Sequence, residues 1–260
     1  MTKNNYKSLK AFDNPDFIHS HEGRPLRILS EYIEPEKRFK QLDIKHTVIF
    51  FGSARIKPEK SKDKFKTSKY YTAAEDFAYE VAMMSDEIEK ETGDPFYICT
   101  GGGYGIMAAA NEGAVRAKKK NIGLNIDLPF EQNENPFITE ELSFQFHYFF
   151  MRKLWFLYQA KAIIVFPGGF GTLDELFETL TLIQTRKLEK LNIPILLYDK
   201  EYWEDLINFK KMEEYGLISP EDLHLFKFFN STEEGIEILK PRLINIMKNI
   251  HHYLEVKFPI

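Results

Sequence analysis

From residue 46 onward, strand-length apolar runs alternate with stretches whose apolar positions recur every three or four residues. The runs 46–51 (HTVIFF), 96–99, 122–126, 142–148, 162–166, 193–198 and 225–229 are short and rich in β-branched and aromatic residues, and predict strands. Residues 70–91 carry Ala73, Phe77, Val81, Met84 and Ile88 on one face, with acids on the other, which is the pattern of a helix packed on a core. Residues 172–187 repeat it with Leu173, Leu176, Phe177, Leu180 and Ile183. Further helices are predicted up to about residue 118, from Phe149 onward, over 202–211 and over 232–249. Upstream, Leu26, Leu29, Tyr32 and Ile33 share a helical spacing, so this segment is expected to pack on the main domain or on a neighbouring subunit.

Three of the strand-to-helix junctions are rich in glycine: Gly52-Ser53-Ala54-Arg55, Gly101-Gly102-Gly103-Tyr104-Gly105-Ile106-Met107, and Pro167-Gly168-Gly169-Phe170-Gly171-Thr172. Repeated strand, glycine turn and helix predict an α/β fold, a Rossmann-like doubly wound parallel sheet with helices on both faces. No linker or low-complexity segment interrupts it, so the expected organisation is an N-terminal extension over 1–45 and one domain over 46–260. Glycines let backbone amides approach a ligand closely, and a helix start adds partial positive charge, so the third junction reads as an anion site. Thr172 and Glu175 also fit a capping box, in which Glu175 would only tie down the backbone of its own helix.

Composition narrows the partners. With 43% hydrophobic and 28% charged residues, 260 residues suffice for one large core without metals or disulfides as staples. A net charge of -4 argues against broad nucleic-acid binding, and no apolar run reaches the roughly 18 residues a membrane helix needs. One cysteine, Cys99, and a polar, basic start without an apolar signal core favour the cytoplasm. Cys99 ends an apolar strand and reads as a buried small hydrophobe.

The string PGGFGTLDE at 167–175 resembles the PGGxGTxxE signature of the LOG family, once widely mislabelled as lysine decarboxylases. Characterised enzymes of that family are phosphoribohydrolases that cut the N-glycosidic bond of nucleoside 5′-monophosphates such as AMP or cytokinin nucleotides. The resemblance covers about residues 48–198 and includes an arginine–lysine pair at Arg152, whose separation from Glu175 agrees with the family's. It implies Arg152 and Glu175 as catalytic residues. It implies a nucleotide pocket lined by Gly52, Ser53, Gly102, Gly103, Gly105, Met107, Pro167, Gly168, Gly169, Gly171 and Thr172, with the 5′-phosphate on 168–172 and the base near the first two turns. It further implies a homodimer or higher homo-oligomer and no cofactor. Asp174 stands where the family commonly has glutamate, which keeps the charge but shortens its reach.

Other readings are weaker. Gly103-x-Gly105-x-x-Ala108 with Asp127 after the next strand resembles a dinucleotide fingerprint, but it sits in the second unit rather than the first. The polar stretch 129–139 lies where it would shape the base pocket. Arg24 and Arg27 read as solvated or paired cations; in the family's first glycine turn Ser53 would hydrogen-bond the nucleotide and Arg55 could neutralise charge, though residues 52–55 also fit a simple tight turn; His147 reads as structural, and Trp203 as core or subunit contact. His251-His252 lacks metal-binding spacing, no metal is expected, and no G-x-S-x-G or pyridoxal-phosphate site is recognisable. Outside the hydrolase class, the alternative is a protein that holds a nucleotide or a phosphate-bearing cofactor without cleaving it; molybdenum-cofactor carriers share this general architecture.

Overall fold

The structure, a computed structural model, describes residues 8–58, 66–128, 134–187 and 193–257. Among these, seven parallel strands form one sheet in the order β4-β3-β2-β1-β5-β6-β7. The strands are β1 (Thr47–Phe51), β2 (Tyr97–Thr100), β3 (Asn121–Ile126), β4 (Ser143–Phe146), β5 (Ala160–Val165), β6 (Ile195–Tyr198) and β7 (Phe226–Phe229). Helices α1 (Pro15–Ile18) and α2 (Arg24–Gln41) precede the sheet; α3 (Ser68–Thr92), α4 (Ile106–Arg116), α5 (Phe149–Tyr158) and α6 (Phe170–Gln184) connect strands. α7 (Lys200–Leu206), α8 (Phe209–Glu214) and α9 (Thr232–Lys257) complete the chain. The doubly wound parallel sheet is therefore present, with the strand order reversing between β1 and β5.

β1 shows why the layers form. All five of its residues are buried, and period-two alternation sends Val48 and Phe50 to one face, Ile49 and Phe51 to the other. The first pair meets Phe77 and Val81 of α3, Ala109 of α4 and Leu239 and Leu243 of α9. The second joins a core built from Phe39 of α2, Trp155 and Phe156 of α5, Leu176 of α6 and Trp203 of α7. No described helix is long and apolar enough to cross a membrane.

Three local expectations change. The helix expected over 202–211 is two helices, because Ile207 is extended (φ -134°) and the Asn208 side chain accepts the Lys211 amide, capping a new start. In α2, Leu26, Leu29 and Ile33 are exposed; Ile28, Tyr32, Pro35 and Phe39 face the core instead. Aromatic contacts decide this, since Tyr32 and Phe39 both pack on Trp155, with ring centroids 5.7 and 5.5 Å away. β4 stops at Phe146, because the next two amides turn to Glu31 of α2.

A buried polar network holds the loop after β2. Thr100 Oγ1 accepts from Gly102 N and donates to Asn111 Oδ1, and Asn111 Nδ2 donates to Asn121 Oδ1. Asn135 Nδ2 lies 3.0 Å from the carbonyls of Gly102 and Gly103 and from Asn111 Oδ1. Of the stretch 129–139, residues 129–133 lie outside the described residues, but Asn135 is only 3% exposed and braces the glycine turn from below. Asn135→Ala would leave the Gly103 carbonyl without this donor, while Gly102 O keeps the main-chain amide of residue 135, and is expected to lower unfolding stability by about 1–3 kcal/mol. Chemical denaturation measures this; an unchanged midpoint would mean that the network is not needed.

Candidate active site

At the carboxyl end of the sheet, where β1 and β5 diverge into helices on opposite faces, lies a cleft of about 1110 Å³. Backbone bonds set its floor: Phe166 N donates to Phe51 O at 2.8 Å, Ser53 N to Pro167 O at 3.1 Å, and Ile106 N to Ser53 O at 3.1 Å. The glycine turns after β1, β2 and β5 are thereby laced into one surface. Close approach demands glycine at several points of these turns, Gly168 and Gly105 among them. A Cβ on Gly168 would run into the Thr172 side chain and lie 2.9 Å from Ser53 N, and Gly105, at φ +68°, would collide with Ser53 O.

Gly169 and Gly171 differ, since a Cβ on either would meet nothing within 4 Å. Packing does not require them; they leave the backbone bare toward the cleft. α6 begins at Phe170 with Gly169 as its cap residue and without a side-chain cap, so Thr172 lies inside the helix and the capping box does not form. The first intrahelical bond at this end is Leu173 N to Gly169 O, so the amides of Phe170, Gly171 and Thr172 precede the helical ladder. Tyr202 Oη donates to Gly168 O at 2.8 Å and braces this turn from α7.

Of the residues expected from sequence, the cleft is lined by Gly52, Ser53, Gly103, Met107, Arg152, Gly168, Gly169, Gly171, Thr172 and Glu175. Gly102, Gly105 and Pro167 do not line it: Gly102 and Gly105 are buried behind it, and Pro167 acts through its carbonyl on Ser53. Arg55, a candidate partner of ligand charge on sequence grounds, and Asp127, left outside the expected site, do line it, with Asn125 and Gln145 at the β3 and β4 end. His147 is exposed and outside it. Trp203 is fully buried in the core, and Cys99 is 1% exposed, with burial pushing its thiol well above the usual range.

Arg152 on α5 and Glu175 on α6 face each other across the cleft wall, Nη2 to Oε1 at 3.8 Å, with side chains 13% and 9% exposed. Lys153 completes the group. Its Nζ stands 2.7 Å from Glu178, 2.9 Å from Asp174 and 3.6 Å from Glu175. Burial pulls the lysine pKa down, but these carboxylates overcome it and hold the ammonium above its ordinary value. Glu175 is pushed up to about 6, because burial disfavours its charge more than Lys153 and Arg152 restore it. Sequence reading passed over Lys153 and Tyr202. The three acids at 174, 175 and 178 on one helix turn were the available signal for the first, and Tyr202 had none.

With Glu175 held at about 6 against an ordinary 4.5, the folded protein binds more protons than the unfolded chain between those values. Stability from this group is thus present below pH 4.5, declines as pH rises to 6, and above 6 ionisation costs up to about 2 kcal/mol. Glu175→Gln removes that cost. Its melting temperature is expected to equal or exceed the parent's at pH 7.5 and to lose the advantage at pH 4.5; a variant less stable at pH 7.5 would contradict this balance.

Comparison with known proteins adds four findings. A sequence model of the family described as "Possible lysine decarboxylase" matches residues 107–239, just over half of the chain. Cytokinin riboside 5′-monophosphate phosphoribohydrolase LOG1 of Arabidopsis thaliana is 36% identical over 83 residues, 31% of this chain and 38% of that protein, so the match spans well under half of the relative's length. The X-ray structure of the structural-genomics target TM1055 is similar at a TM-score of 0.51 and 16% identity, over 74% of this chain and 97% of that one. The molybdenum cofactor carrier protein of Chlamydomonas reinhardtii has a TM-score of 0.50 at 16% identity, over 76% and 98%. Identities this low speak for the fold alone.

Proposed function

The chain belongs to the LOG family, the one described as possible lysine decarboxylases, and from that membership we propose that it is a nucleoside 5′-monophosphate phosphoribohydrolase. It hydrolyses AMP or a cytokinin-type adenine nucleotide to free base and ribose 5-phosphate. The observation that carries this reading is the buried Arg152–Glu175 pair, 3.8 Å apart, beside a helix start with bare amides. A homodimer or larger homo-oligomer in the cytoplasm belongs to the same reading.

The 5′-phosphate sits on the turn Gly168–Thr172, where amides and helix dipole favour an anion. Ribose then lies over Glu175 and the base lies near the turns after β1 and β2, with Asn125, Asp127 and Gln145 offering polar contacts at the β3 and β4 end. In the reaction the C1′–N bond breaks, its electron pair leaves with the base, and positive charge builds on the ribose. Glu175, as carboxylate, stabilises that charge and orients the water, whose oxygen bonds C1′ while a proton goes to the base. Arg152 offsets negative charge on the departing base. Lys153 holds the carboxylates of α6 in place.

The test is incubation with a panel of nucleoside 5′-monophosphates, AMP and isopentenyladenine ribotide included, followed by separation of base from nucleotide. Release of base and ribose 5-phosphate is expected, with an acid limb in kcat near the Glu175 value of about 6, activity rising with pH. Glu175→Ala and Arg152→Ala should each lose about a hundred- to a thousandfold in kcat. A parent-like rate in either removes that residue from the chemistry, and nucleotide binding without release from any member would leave a carrier.

Gly171→Ala separates binding from folding. Its Cβ meets no protein atom, and alanine suits a helix better, so the melting temperature should hold or rise. The methyl group instead intrudes on the amide surface, and the KM for AMP should rise about tenfold or more. An unchanged KM would take the phosphate off this turn.

A further inference from the structure

The helix that carries Arg152 and Lys153 is capped by a residue far from it in sequence. α5 begins after Tyr148, whose side chain makes no capping bond. The amides of His147 and Tyr148 donate instead to the two carboxylate oxygens of Glu31 on α2, at 2.8 and 3.2 Å. That places negative charge where the dipole of α5 is positive and satisfies donors that would otherwise be left at the helix start. Two turns along α5, Trp155 Nε1 donates to the carbonyl of the same Glu31 at 3.0 Å. One residue of α2 therefore grips α5 at two levels, with its side chain at the first turn and its main chain at the second.

The grip continues to the cation in the cleft. Arg152 N donates to Tyr148 O at 3.2 Å, and Tyr148 N is the group that Glu31 holds. We propose that Glu31 is a positioning residue for the Arg152–Glu175 pair, its carboxylate setting the height and rotation of α5 and so the place of the Arg152 guanidinium opposite Glu175. The inference rests on the reading of Arg152 as part of the reactive site. It gives α2, which carries none of the glycine turns, a part in the chemistry.

Glu31→Ala removes the carboxylate but keeps the carbonyl that receives Trp155, so α2 stays docked. The decisive measurement is a double-mutant cycle with Arg152→Ala. A displacement of the guanidinium by about 1 Å is expected to lower kcat for AMP by about ten- to a hundredfold. Affinity for inorganic phosphate, which seats on α6 out of reach of Glu31, should stay at the parent value. In the Arg152→Ala background, Glu31→Ala should then cost nothing further. A parent-like kcat, an equal loss in both backgrounds, or a parallel loss of phosphate affinity would overturn the proposal. Were the parent to release no base from any nucleotide, hydrolysis would fail as the function, and the same cycle run on the dissociation constant for AMP would decide the positioning, by coupling or additivity. Should Glu31→Ala not fold, Glu31→Gln, which keeps one acceptor oxygen, serves in the same cycle.

Discussion

Parallel pairing of β1 with β5 brings together two strands whose following helices, α3 and α6, lie on opposite faces of the sheet. The chain ends of these strands must separate, and a crevice opens between them. Two bonds across that point, Phe166 N to Phe51 O and Ser53 N to Pro167 O, hold the turns in register as they part. Burial of β1 on both faces makes the pairing hard to shift, because a slip of one residue would send Val48 and Phe50 into the wrong core layer.

Around that crevice the electrostatics are arranged at a cost. Glu175 is buried enough that two cations do not fully compensate the loss of water, so its carboxyl is pushed up to about 6, above the usual carboxylate range. The surroundings share the load. Lys153 collects Asp174 and Glu178, which keeps like charges on α6 from crowding Glu175 alone, and buried Asn135 under the second glycine turn donates to the Gly102 and Gly103 carbonyls. A site of this kind is stable only because the elements behind it are over-determined, α5 by α2 and the turn after β5 by Tyr202.

The positions of strands and of the long helices α3, α6 and α9 are legible in the sequence, since period-two and period-3.6 patterns arise from local geometry facing a core. Glycine runs between them mark the turns for the same local reason, and Arg152 and Glu175 stand out through their resemblance to the LOG pattern. The finer errors have local causes too. Asn208 caps a new helix inside what reads as one, and Gly169, not Thr172, begins α6, because the chain after Gly168 already takes up helical geometry at Phe170.

What sequence determines here is thus the set of elements, their order, and which turns are bare enough to admit a ligand: properties carried by neighbours within a few residues. Which face of α2 turns inward, which asparagine lies under Gly102 and Gly103, and which cation gathers the acids of α6 were settled only by the tertiary structure. Glu31 meets Tyr148 across 117 residues and Tyr202 meets Gly168 across 34. Contacts at such separations are made by packing whole elements together, and no local periodicity records them.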